Sequence, residues 1–174
     1  MTTSSLGDLL SSAPPALDDA TLAALAQTHF GVAGGMRRLT SERDLNLQIT
    51  TPAQSYVLKL TNLAEAREVT DFQTKALLHL EQSGLPVPRV IRTLSGKTEA
   101  VLPQGTLRLL TYLDGVPMHQ SPRTAAQTRA MAGMAARLTI GLSGFSHPAS
   151  GHVLQWDIKQ AAALRPLLAA IGDD

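Results

Sequence analysis

The stretch "SYVLKLT", residues 55–61, sets one lysine in the middle of an apolar strand pattern. Alternate side chains of a strand point to opposite faces. Tyr56, Leu58 and Leu60 therefore share one face, and Val57, Lys59 and Thr61 share the other. An ammonium at that place has two ordinary uses. It can stay solvated on the wet face of a half-exposed sheet, because burying an unpaired ammonium is costly. Or it can project into a cleft as a fixed cation for phosphate groups. A Schiff-base lysine is a third chemistry in principle, but no neighbouring cofactor pattern supports it. Other reactive residue types are thinly spread. His147 and His152 stand five apart in a Gly/Pro loop, and their spacing reads as solvated histidines, not ligands. The chain has neither a GxSxG elbow nor a GxxxxGK[ST] phosphate loop.

Composition narrows the partners. The 174 residues suffice for one domain with a real core, or one and a half small ones. Aromatic residues make up 3%, too few to stack many bases of single-stranded nucleic acid. Net charge is +1, with no basic block, which argues against nucleic acid or an anionic membrane as main partner. The absence of cysteine removes disulfides, thiol nucleophiles and thiolate metal sites, and fits a reducing cytoplasm. "MTTSSLGDLL" lacks the basic start and apolar run of a signal peptide. No stretch approaches the roughly 18 apolar residues of a membrane span.

The elements that must position Lys59 follow from periodicity and punctuation. Residues 4–30 read as two short helices broken at "APPALDD". Asp18 or Asp19 caps the second, which carries Leu22, Leu25 and Phe30. "GVAGG" precedes the first strand and reads as a turn, not a phosphate loop. "MRRLTSE", "LNLQITT" and "SYVLKLT" are strands joined by short polar links, an antiparallel meander. A helix from about 63 to 83 follows. Asn62 and Glu65 give it a capping-box-like start and Gly84 a stop. Its buried stripe is Val69, Phe72, Ala76, Leu77 and Leu80. "RVIRTL", "EAVLP" and "TLRLLTYL" are further strands, and "LDGVPMHQSP" is a connector. Residues 122–143 are helical, with an apolar stripe at Met131, Met134, Ala135, Leu138 and Leu142. "GLSGFSHPASGH" is a loop. A last helix spans about 157–171, with Trp156 as its anchor and Asp157 as its cap. This order predicts an α+β domain with an antiparallel sheet.

In that order, "VLKL", the capped helix after it, "SGLPVPRVI" and "RLLTYLDGVP" resemble the small lobe of the aminoglycoside phosphotransferase and choline kinase-like family, which is protein-kinase-like. "LTSERDLNLQI", "VLKLTN", "DFQ" and "RLLTYLDG" are similar to its hydroxylysine-kinase-like branch. The resemblance covers roughly residues 30–171. It implies a kinase-like small lobe with a five-stranded antiparallel sheet and a C-helix. The division it implies is an N-terminal helical segment (1–30), the small lobe (31–113), and a connector with the first helices of a truncated large lobe (114–174).

The resemblance also implies roles. Lys59 reaches the α- and β-phosphates of ATP. The turn from Ser41 to Asn46 covers the phosphates through Ser41, backbone N–H groups or Asn46. Thr111, Tyr112 and Leu113 offer hinge groups to adenine. Gln73 stands where many relatives carry the C-helix glutamate that pairs with the lysine. It lies within the helix stripe, so a contact toward Lys59 is expected, but an amide brings no negative charge. A simple backbone hydrogen bond is the other reading of Gln73. The family's HxDxxxxN catalytic loop and later magnesium-binding Asp have no counterpart, since none of the five histidines begins His-x-Asp. "DFQ" (71–73) imitates a magnesium motif but lies inside the helix and before the hinge. Magnesium ligands are therefore expected outside these residues.

The leading expectation is the ATP-binding portion of a small-molecule phosphotransferase acting on a hydroxylated amine or amino acid. It is expected to be inactive alone, and is either a fragment or the first module of a longer protein. Relatives of this branch also occur joined to class-III aminotransferases. The alternative is a stand-alone, non-catalytic α+β module that binds a nucleotide or a protein. A third reading is an unrelated α+β domain with Lys59 at its surface. An uncovered apolar face along Met131–Leu142 favours the first reading, and such a face offers a route to a dimer.

Overall fold

Apolar residues at every second position of three strands decide where the core lies. Leu45, Leu47 and Ile49, with Leu58 and Leu60, and with Leu107 and Leu109, form one continuous buried face. The computed structural model describes residues 12–153 and 157–170. Its strands are β1 (Gly35–Leu39), β2 (Leu45–Thr50), β3 (Ser55–Leu60), β4 (Val90–Ile91), β5 (Ala100–Leu102) and β6 (Gly105–Thr111). All pairs are antiparallel, in the order β1-β2-β3-β6-β4, with β5 also on β6. β4 pairs with Leu109 and Leu110, and β5 with Gly105 to Leu107. These two strands share one edge of β6, so the sheet has six strands but the width of the five expected.

The core face is closed by helix α1 (Asp19–Phe30), through Leu22, Ala26 and Phe30. Asp18 caps it as expected: its Oδ1 accepts from the Thr21 N–H at 2.7 Å. The residues before Ser12, including the first expected helix, lie outside the described residues. Gly34 also behaves as the turn reading requires. A Cβ there would collide with the Thr50 carbonyl, so only glycine lets the chain enter β1 beside the end of β2.

The helix after β3 departs from expectation at its start. Helix α2 spans Arg67–Leu80, and its N-cap Ala66 makes no side-chain capping bond. Asn62 is buried and otherwise engaged. It accepts from the Ala64 N–H at 2.9 Å and donates to the carbonyls of Ala13 at 2.9 Å and Arg43 at 3.0 Å. Glu65 pairs with Arg43 at 3.5 Å. The capping box is thus replaced by a turn that ties the β1–β2 loop to the end of β3. The stripe shifts too. Val69 and Leu80 are buried, but the buried positions between them are Thr70 and Thr74. Phe72 faces the later chain, with ring centroids 5.8 Å from Phe145, 5.6 Å from His147 and 5.7 Å from His152. Gly84, at φ +69°, ends the short 3₁₀ turn Glu81–Ser83.

Helix α3 (Ala125–Gly141) begins with a full capping box between Thr124 and Gln127. None of its residues is buried. No residue of the expected stripe is fully buried: Met134, Leu138 and Leu142 are half-buried and Met131 is 50% exposed, while Ile140, on another side of the helix, is 73% exposed. The "GLSGFSHPASGH" segment is a loop closed by a 3₁₀ turn at Pro148–Gly151. The last expected helix is 3₁₀ over Ile158–Ala170, with Pro166 inside it removing one N–H donor. Asp157 accepts from the Lys159 N–H at 3.0 Å. Trp156 lies outside the described residues. Among the described residues, no helix is long and apolar enough to cross a membrane.

Candidate functional site

Because β3 alternates, burying Leu58 and Leu60 sends Lys59 to the opposite face. Strand register builds a row across that face: Leu39 on β1, Asn46 on β2, Lys59 on β3 and Arg108 on β6 are successive partners. Two cations thus stand directly opposite one another, an arrangement that is unfavourable unless a carboxylate intervenes. Asp44 supplies it. Its Oδ2 forms an ion pair with the Lys59 ammonium, and its Oδ1 accepts from the Asn62 N–H at 3.0 Å. Lys59 Nζ also lies 3.5 Å from Asn46 Oδ1, at the limit of a hydrogen bond. The lysine is neither free in solvent nor sealed in the core: its side chain is 23% exposed.

Arg108 is the residue that sequence reasoning missed. It is 2% exposed and reaches up to α2. Nη1 donates to Thr74 Oγ1 at 3.1 Å and to the Thr70 carbonyl at 3.4 Å, and Nη2 donates to Gln73 Oε1 at 3.0 Å. Its Nε has no partner among the described residues. Burial pulls its pKa below the ordinary value, and the fields of Asp44, Glu99 and Glu65 oppose that. The signal was available. "TLRLL" places a cation in an apolar strand just as "VLKL" does, and Asp44, Asn46 and Gln48 alternate with the core residues of β2.

Gln73 therefore does not make the expected contact with Lys59. Its amide oxygen serves Arg108, and the lysine's counter-charge comes from the β1–β2 loop, not from the helix. A neutral amide suffices at the helix because the group it meets is a guanidinium, which needs an acceptor and not a full charge.

The remaining expected residues fall at the two ends of this face. Ser41, Asp44 and Asn46 line a cavity of about 170 Å³ together with Pro14 and Pro15. Thr111 and Tyr112 spend their N–H groups on the Arg89 and Ser55 carbonyls, both at 2.9 Å. The Thr111 hydroxyl accepts from the Arg89 N–H at 2.9 Å. Leu113 lies just past β6, and its N–H has no partner among the described residues. Of the three positions expected at a hinge, it is the one whose N–H finds no acceptor among the described residues.

The two loop histidines are not solvated. His147 is buried: its Nε2 lies 2.9 Å from Asp71 Oδ2, and its Nδ1 accepts from the Ala149 N–H at 3.1 Å. Accepting at Nδ1 fixes the proton on Nε2. His152 Nδ1 lies 2.7 Å from the Ala149 carbonyl. They pin the loop to α2 around Phe72. Asp71 also binds Lys75 at 2.7 Å, and that hydrogen bond is the main cause holding its carboxyl below the usual range; burial opposes it, and the hydrogen bond with His147 adds a smaller lowering. No group of three or more His, Asp or Glu suited to a metal ion occurs among the described residues.

The five-wide antiparallel sheet with a helix leaning on it has counterparts. The model of the phosphotransferase enzyme family matches residues 35–173. The chain belongs to that family. Its sequence is similar to hydroxylysine kinase of Mus musculus, 25% identical over 183 residues, and of Xenopus laevis, 26% identical over 180. These alignments take in 92% and 90% of the chain but 49% and 48% of the relatives. This phosphotransferase-family chain thus spans about half the length of the curated relatives it matches. The fold matches spectinomycin phosphotransferase, solved with ADP and spectinomycin, at TM-score 0.66 and 16% identity. That match covers 91% of the chain and 48% of the other. It also matches amicoumacin kinase, solved with AMP-PNP, Ca²⁺ and amicoumacin, at TM-score 0.62 and 14% identity, covering 91% and 55%. The expected kinase-like α+β fold is thereby established.

Proposed function

We propose that this chain is the nucleotide-binding half of an ATP-dependent small-molecule kinase that phosphorylates a hydroxylated amine or amino acid. The observation that carries the reading is Lys59. It is fixed by Asp44 in the middle of β3, on the face away from the core, and part of its surface remains open. A positioned ammonium beside a cleft is what triphosphate charge requires. In this reading Lys59 meets the α- and β-phosphates, Ser41 and Asn46 flank them, and the free Leu113 N–H meets adenine beside Thr111 and Tyr112. Arg108 and Gln73 hold α2 against the sheet and so position the lysine's wall. ATP fits this residue set, and it would supply the transferable phosphoryl group.

Residues 31–113 are then the small lobe, and 114–174 the connector and first large-lobe elements. No described cluster suits magnesium, and no His-x-Asp occurs in the chain, so the base and the metal ligands belong to residues beyond these 174. That no residue of α3 is fully buried supports the same reading, since Met131 on one side of the helix and Ile140 on another are left open to water. A fusion to an aminotransferase module is compatible with this arrangement.

Phosphoryl transfer and polypeptide length test the proposal together. Residues 1–174 with ATP and a panel of hydroxylated amines should transfer no phosphate. The native polypeptide, weighed intact from its source cell, should be longer and should carry a His-x-Asp-x-x-x-x-Asn segment. Turnover by residues 1–174 alone, or a native chain without that segment, would contradict it.

A further inference from the structure

A second cavity lies away from Lys59. It is a groove of about 660 Å³ formed by the β4–β5 loop, the first residue of α2 and the end of α1. That volume suits a small organic ligand. Its lining is unusually basic for a chain of net charge +1. Arg67, Arg92 and Lys97 face it, with His29 at one end and Glu99 as the one acidic residue among those that line it. At neutral pH the formal sum over these side chains is +2 with His29 neutral.

The frame that carries these cations is well built. The Thr93 N–H donates to the Lys97 carbonyl at 2.8 Å, and the Lys97 N–H donates to Thr93 Oγ1 at 3.0 Å. The Gly96 N–H closes onto the Thr93 carbonyl at 2.8 Å, and Arg92 Nη1 reaches the Gly96 carbonyl at 3.1 Å. The Leu94 N–H, bonded to the His29 carbonyl at 2.8 Å, ties the turn to α1. The closed turn thus fixes the backbone from which Lys97 projects, and Arg92 is braced against it. Arg67 is partly occupied: its Nη2 donates to Glu99 at 2.9 Å. Arg92 and Lys97 have no carboxylate partner among the described residues. Nothing in the Lys59 reading uses any of them.

We infer that this groove binds a small molecule bearing two or more oxyanion groups, with Arg92 and Lys97 as its principal contacts and Arg67 shared between Glu99 and the ligand. Phosphates and carboxylates share this chemistry. A charged, partly enclosed groove concentrates such ligands, and salt screens the attraction. Glu99 selects against monoanions, which cannot offset its charge while also engaging the two free cations.

Calorimetric titration of the full chain with pyrophosphate, citrate and acetate separates the sources. At low salt, pyrophosphate or citrate or both should bind, acetate should not, and affinity should fall steadily as salt is raised. Arg92→Ala with Lys97→Ala should weaken binding at least about tenfold, the scale of losing charge-assisted contacts. Ile140→Ser, on α3 and outside both sites, should leave it unchanged. Pyrophosphate binding alone identifies a phosphorylated ligand, and citrate binding alone a polycarboxylate. No binding of either probe by a folded chain, or binding undiminished in the folded double variant, would overturn the inference.

Discussion

At the scale of single residues, the cleft face depends on one carboxylate serving two cations. Lys59 and Arg108 are paired across β3 and β6, and Asp44 lies in the field of both. Asp44→Asn keeps the shape and the Asn62 contact but removes the charge. It should destabilise the chain by about 2 kcal/mol, because a half-buried cation loses its partner. Urea unfolding measures this, and an unchanged midpoint would mean that Asp44 does not compensate the pair. Asp71 offers a test with a defined pH window. Its folded pKa is depressed, so the stability it contributes is complete above the unfolded value of about 3.9 and is lost as pH falls through the folded value. The stability gap between wild type and Asp71→Asn should therefore be constant near neutrality and close on acidification. Thermal unfolding across that range checks it. Sequence reading found the lysine because a charge interrupts an apolar alternation. It passed over Arg108, which interrupts "TLRLL" in the same way, because the motif that begins with it, "RLLTYLDG", was read only for its hinge residues.

At the scale of elements, strands were legible and helix starts were not. β2 and the second half of β3 follow a two-residue period, and one buried face leaves a single register possible between them. The start of α2 was misread because Asn62 and Glu65 have the right spacing for a capping box but found other partners: Asn62 in the Ser12–Arg43 neighbourhood, Glu65 on Arg43. Local pattern does not reveal such long-range competition. Nor does it reveal that the sheetward side of α2 is threonine, since Thr70 and Thr74 are buried to meet Arg108. The β5–β6 hairpin makes a prediction of its own. Gly105 has φ +139°, and a Cβ there would collide with the Thr61 carbonyl. Gly105→Ala should cost more than about 2 kcal/mol through backbone strain and a displaced strand pair. Amide exchange should show the loss first in β5 and the start of β6, and uniform protection would contradict the argument.

At the scale of the whole molecule, the described core lies on one side of the sheet, beneath α1, and no residue of α3 is fully buried. Stability and the exposed face should therefore be separable. Met131→Ser with Ile140→Ser should change unfolding free energy by less than about 0.5 kcal/mol, the ordinary effect of exposed positions. The same pair should reduce any self-association seen by sedimentation. A large loss of stability would mean that α3 is packed after all. Sequence order made the family and its half-length match readable, since strand, helix and hinge motifs occur in series. The occupant of the α3 face could not be read, because an apolar stripe has the same sequence whether it is covered or bare.

The central claim is that Lys59 is a phosphate-binding cation. ATP titration into wild type and Lys59→Ala tests it most directly, with ADP and adenosine as comparisons. The account predicts binding by wild type that strengthens from adenosine to ADP to ATP and falls by about tenfold or more in Lys59→Ala, with the variant still folded. Equal ATP affinity in the two proteins, or no preference for the phosphorylated ligands, would contradict it.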